Sequence, residues 1–322
     1  MESCRRTPSR RLCRGAETVV WPVDDDEPAL SATRSDDWTP GTEPVALNCA
    51  ASLYRLFVRQ ITARDQDGES IFVSSYRAAI DQLSAAQKPA YGAPAYSRFV
   101  NRPAGRRIAA TAYALNLTPN AVTGISALLS AIGILVLALA PISIWTGMVV
   151  AAALALGYAF DSADGQLARL TNTGGPAGEW LDHVVDMGKT VLVPGAIVYS
   201  LVIHTDPVNA RLVALAIGFA AVSVVAFFAW LLVDLLRRAD PAPVPTEARA
   251  VGHAPLIRSI LRLPSDYGVL CWIFVLWGVP PLGGVALFWW AYGLLFAANF
   301  VILLVALPVW YRQAKAVGQR SY

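Results

Sequence analysis

Between Ala121 and Phe160 the chain carries no charged side chain, and directly after that run four aspartates arrive at helical spacing. They lie in Asp161-Ser-Ala-Asp164-Gly165-Gln-Leu-Ala168-Arg169 and, after a short gap, in Gly178-Glu-Trp-Leu-Asp182-His-Val-Val-Asp186. Residues three and four apart share a helix face. Asp161, Asp164, Gly165 and Ala168 therefore line one stripe of a first helix, and Gly178, Asp182, Asp186 and Lys189 one stripe of a second. Thr171–Pro176 (Thr-Asn-Thr-Gly-Gly-Pro) reads as the tight turn that lets the two acidic stripes face each other. Carboxylates crowded inside apolar helices are costly unless something positive fills the space between them. A divalent metal is the expected filler.

The composition fits helices in lipid. Of 322 residues 55% are hydrophobic and 15% charged, with a mean hydropathy of +0.46, where about a quarter charged is usual for a soluble domain. Cys4, Cys13, Cys49 and Cys271 form no CxxC pair and no Cys/His cluster, which argues against a zinc site or a disulfide framework. The net charge of +3 is small, and no nucleic-acid partner is implied.

Taken in order, the chain predicts an all-α, polytopic membrane protein with six transmembrane helices and a juxtamembrane amphipathic helix. Residues 1–70 form a polar N-terminal extension, expected to be disordered, without the apolar stretch of a secretory signal. A start codon assigned too far upstream is one explanation for it. Within it, Ala46–Ala63 spaces Leu53, Leu56, Phe57 and Ile61 as a transient amphipathic helix. The juxtamembrane region is 71–116: Tyr76–Leu83 as a short helix, then Ser97–Tyr113, with Arg98, Arg102, Arg106 and Arg107 beside apolar residues, expected along the headgroups. The membrane domain is 117–312, followed by a tail, 313–322.

Thr118 is the expected N-cap of the first span, with Pro119 at its first position, and Ala121–Ala140 is long enough to cross about 30 Å of hydrocarbon. The second span, from Ser143, runs into the acidic motif and ends near Leu170. The third starts near Ala177 and reaches Ile203, with Pro194 inside it. Leu212–Val233 is the fourth, Tyr267–Val279 a short fifth and Val285–Val309 the sixth. In such an arrangement nearly all loop arginines and lysines fall on one side and Arg211 alone on the other. The positive-inside rule then places both termini and the acidic motif in the cytoplasm, in a multi-pass protein of the cell membrane.

The run Asp161-x2-Asp164-Gly165-x2-Ala168-Arg169-x8-Gly178-x3-Asp182-x3-Asp186 resembles the signature of the CDP-alcohol phosphotransferase family, with every fixed position filled. More loosely, the resemblance extends over roughly residues 98–312. It implies displacement at a phosphorus of a CDP-alcohol, CDP-diacylglycerol being the simplest donor, by the hydroxyl of a polar alcohol, with release of CMP. It implies Mg²⁺ or Mn²⁺ held by Asp161, Asp164, Asp182 and Asp186, and gives Asp186 the further role of general base. Gly165, Ala168 and Gly178 are expected to let the nucleotide approach, and Arg169 to contact phosphate. Thr118-Pro-Asn120-x-x-Thr123 also resembles the family, where this helix end lies beside the nucleotide; for Asn120 and Thr123 plain capping is an equal alternative. Family members often form homodimers.

Other readings stand beside this one. The run Gly178-Glu-Trp-Leu-Asp182-His183 is similar to the branch that transfers aminoalcohol phosphates to diacylglycerol. Lys189 points either to an anionic acceptor or to balancing the cage's charge, and His183, off the acidic stripe, to packing. The glycines could be helix-packing devices. A Mg²⁺-dependent intramembrane prenyltransferase and a cation-binding transporter are the alternatives from other classes.

Overall fold

A computed structural model describes residues 58, 62–64, 68, 70–85, 93–239, 256–279 and 287–318. The N-terminal extension and the helix expected over Ala46–Ala63 fall almost wholly outside these residues, as does the turn after residue 279. Among the described residues there is no β-strand, only an isolated bridge between Arg64 and Ser70.

Helix α1 (Ile71–Ala85) precedes a π-helical turn, Ser97–Asn101, that leads without a break into α2 (Arg102–Ala114). Then come α3 (Pro119–Leu139), α4 (Ile144–Thr171), α5 (Pro176–His204) and α6 (Ala210–Ala239). The chain ends with α7 (Leu256–Leu261), α8 (Tyr267–Ile273) continued by a 3₁₀ turn over Phe274–Leu276, and α9 (Leu287–Gly318).

Five of these helices, α3 to α6 and α9, are long and apolar enough to cross a membrane. Their ends follow local chemistry. Thr118 caps α3 by accepting the Ala121 N–H at 3.2 Å, with Pro119 at the first position. Ser143 caps α4 by accepting the Thr146 N–H at 3.1 Å. Pro194 sits inside α5 without ending it.

The expected fifth span is shorter than its neighbours. Tyr267–Leu276 is the shorter apolar helix, about 15 Å long at 1.5 Å per residue. It lies against α4 and runs antiparallel to it. At one end, Asp266 Oδ1 accepts the Tyr158 hydroxyl at 3.3 Å. At the other, a side chain on Gly278 would collide with the backbone of Ser143, at 2.4 Å. Gly278 has φ +78, so this reversal needs a residue free of Cβ on both counts. Pro264 before this segment and Pro280-Pro281 after it leave little sequence for a longer helix.

The main core fills the middle of the bundle. Leu154, Ile197, Phe274, Phe288 and Tyr292 are all fully buried there. Burying apolar area of this kind stabilises helix contacts in water; in lipid, close fit and polar satisfaction matter more. Close fit is visible at Gly147, where a Cβ would come within 2.2 Å of the Phe274 carbonyl oxygen, and at Gly157, 2.5 Å from Ser130 Oγ.

A second, smaller core joins α2 to the motif end of α4 through Ala109, Ala112, Ala163 and Leu167. The amphipathic helix expected along the headgroups therefore turns a face of small residues onto protein. Gly105 packs so tightly that a Cβ would lie 2.8 Å from Ser162 Oγ, and Gln166 Nε2 donates to the Arg102 carbonyl at 3.2 Å. Phe99, Val100 and Tyr113 remain exposed on the same segment.

Candidate active site

The hairpin of α4 and α5 builds the site. Asn172 leaves α4 in the left-handed conformation, φ 54, which asparagine tolerates better than most residues. The Thr173 N–H then bonds back to the Ala168 carbonyl at 3.1 Å. Gly175 and Pro176 start α5 at once. The turn expected over Thr171–Pro176 is thus the turn observed, and it sets the two acidic stripes face to face.

One carboxylate oxygen from each of Asp161, Asp182 and Asp186 lies within 4.8 Å of the others. These are hard oxygen donors from two helices, half-buried, and they suit Mg²⁺ or Mn²⁺. Asp164 stands one turn along α4, 6% exposed, and is outside that trio. Its Oδ2 accepts the Thr123 hydroxyl at 2.5 Å and its Oδ1 the Gly165 N–H at 2.5 Å. Each carboxylate oxygen keeps a further lone pair after one such bond. Thr123, a candidate for nucleotide contact, is buried and aimed at Asp164.

Lys189 is also part of the cage. Its ammonium lies 2.6 Å from Asp161 Oδ1 and 2.6 Å from Asp186 Oδ1, with the side chain only 6% exposed. The Tyr267 ring lies 5.9 Å from the same nitrogen. Sequence spacing puts Lys189 on the acidic stripe, but nothing in the sequence connects it with Tyr267. His183 turns away, toward Glu179 at 3.7 Å and edge-on to Phe227 at 6.2 Å. Glu179 in turn accepts from Arg238, which also pairs with Asp234 and ties α5 to the end of α6.

The motif glycines differ from the packing glycines. A Cβ on Gly165 would meet nothing nearer than Arg169 Nη1 at 3.5 Å, and one on Gly178 nothing nearer than Asn120 Oδ1 at 3.5 Å. Those are ordinary contacts, so protein packing does not demand glycine at either position. Asn120 is exposed and stands over Gly178, and Arg169 is exposed beside Gly165. Ala168 is half-buried next to the turn. A cavity of about 360 Å³ opens at this end, lined by Asn116, Thr118, Pro119, Asn120, Thr171 and Thr173 among others. A cleft of about 470 Å³ lies between α1 and α2, and neither of the two is lined by any of the four aspartates.

Such a site offers a cluster of carboxylates able to hold a hard cation, a floor lysine, and uncovered backbone beside a polar mouth. That is equipment for handling a phosphate ester. Residues 116–261 match the family model described as CDP-alcohol phosphatidyltransferase. The match contains the whole motif and α3 to α6, and ends before α8. No curated protein matches the chain.

Proposed function

Because residues 116–261 match the model of the CDP-alcohol phosphatidyltransferase family, a family of transferases, we propose that this chain makes phospholipid from CDP-diacylglycerol and a polar alcohol, releasing CMP. Phosphotransfer from a CDP-alcohol follows from the family itself; donor, acceptor and residue roles are the proposal. The observation that carries it is the meeting of Asp161, Asp182 and Asp186 oxygens within 4.8 Å across the α4–α5 hairpin, beside two glycines that packing does not require.

In this reading Asp161, Asp164, Asp182 and Asp186 hold Mg²⁺ or Mn²⁺. Bound there, the ion neutralises phosphate oxygens and stabilises the departing CMP. Asp186 takes the proton from the acceptor hydroxyl as its oxygen attacks the phosphorus attached to diacylglycerol, and the bond from that phosphorus to CMP breaks. Gly165, Ala168 and Gly178 give the nucleotide room to approach, with Asn120 at its edge. Arg169, exposed beside Gly165, makes the bidentate contact with phosphate in this reading. Thr123 acts through Asp164, fixing the carboxylate's orientation. The inner leaflet and cytoplasm are the proposed side of the membrane. Asp182-His183 would suit an aminoalcohol phosphotransferase, but His183 faces α6 rather than the cage, and this favours the first reading.

The test is CMP release by purified protein given CDP-diacylglycerol, Mg²⁺ or Mn²⁺ and a panel of alcohols. Activity should vanish in chelator and return with either ion. Asp186→Asn should lose about 10²–10⁴-fold in turnover while remaining folded. Absence of CMP from folded protein with every donor and acceptor would overturn the proposal, and release of pyrophosphate from an added prenyl diphosphate would point to prenyl transfer.

A further inference from the structure

Lys189 is the one charged side chain of the cage to which the reaction above gives no task. Its ammonium touches Asp161 Oδ1 and Asp186 Oδ1 at 2.6 Å each. Lysine has three donors and no acceptor, so each contact is a charge-assisted hydrogen bond that the ammonium donates to a carboxylate. The same two aspartates belong to the trio that can share a metal ion. An ion held by both carboxylates would lie beside Nζ, and two cations sharing the same pair of carboxylates repel strongly where water is scarce. The flexible four-carbon stem of lysine allows the ammonium to withdraw, and the Tyr267 ring, 5.9 Å from Nζ, offers it a face to withdraw toward.

We infer that Lys189 is a tethered competitor of the divalent ion: it occupies the Asp161–Asp186 pair, gives up at least one of them when the ion binds, and so sets how tightly the ion is held. The inference rests on the reading of this site as a metal-dependent phosphotransferase cage. Lys189 is in this sense a positioning residue. It keeps two half-buried carboxylates compensated while the ion comes and goes, at the expense of ion affinity.

The experiment measures Mn²⁺ binding to the purified full chain in nanodiscs, without nucleotide, by the electron paramagnetic resonance signal of free Mn²⁺. Lys189→Met and Lys189→Gln should each bind Mn²⁺ about tenfold more tightly than wild type. Their thermal midpoints should drop in chelator and recover in Mn²⁺. A variant obtainable only from buffers containing Mn²⁺ is the same result in a stronger form. Asp182→Asn should lose the binding, which locates it. Affinity equal to or weaker than wild type in both lysine variants overturns the inference, as does a variant that stays unfolded in saturating Mn²⁺. Wild type that releases CMP while the lysine variants bind Mn²⁺ unchanged sinks the inference alone. Tighter binding in the variants with no CMP from wild type sinks the proposed function alone.

Discussion

A glycine can be required by its neighbours or by a ligand, and a single methyl group distinguishes the two. At Gly147 the added carbon would lie 2.2 Å from the Phe274 carbonyl oxygen. Gly147→Ala should therefore cost about 1–3 kcal/mol, or more if the backbone cannot shift, read as a lower midpoint of thermal unfolding. At Gly165 the nearest atom is a flexible arginine nitrogen 3.5 Å away. Gly165→Ala should leave that midpoint unchanged and raise the KM for the CDP-linked donor about tenfold or more, a loss of roughly 1.4 kcal/mol of binding. Equal stability losses in the two variants would make Gly165 a packing residue after all. Spacing reveals the four aspartates, the two glycines and Lys189 as faces of helices, because helical periodicity is written into the sequence. Partner choice is not. The Thr123–Asp164 bond joins positions 41 residues apart, and the Lys189–Tyr267 contact depends on where α8 packs.

At the level of elements, Asp266 shows how a short helix is kept in place. It caps α8 by accepting the Gly268 N–H at 3.0 Å, and it also accepts the Ser97 N–H at 2.7 Å and the Tyr158 hydroxyl at 3.3 Å. Burial pushes its carboxyl above the usual range, against the bonds from Ser97 and Gly268. One side chain thus joins the π-helical turn, α4 and α8. Asp266→Ala should lower stability by about 2–3 kcal/mol and speed hydrogen exchange at Ser97 and Gly268 together; exchange accelerated at Gly268 alone would reduce Asp266 to an ordinary cap. The long spans are legible from hydropathy, and their starts from Thr118, Ser143 and Pro176. The length of α8 and the protein-packed face of α2 are less so, since a short apolar run and a small-residue face read alike whether lipid or protein covers them.

On the scale of the whole molecule, the loop after α5 lies at the opposite end of that helix from the α4–α5 turn. With its native cysteines replaced by alanine, a chain carrying Val208→Cys should react with a membrane-impermeant maleimide applied outside intact cells. Asn172→Cys should react only after the membrane is opened. The reverse pattern would invert the proposed orientation and put the site on the outer face. The depth of the site follows from α4 itself. From Ile144 to Asp161 the helix rises about 26 Å, close to the roughly 30 Å thickness of hydrocarbon. With Ile144 at the far boundary, that length sets the aspartates at the level of lipid ester phosphates, as the proposed reaction on a lipid donor requires. In the proposed reaction a donor with two acyl chains would be reached by sideways diffusion, its tails still solvated by their neighbours, so that only the polar acceptor must arrive from water and only CMP depart into it.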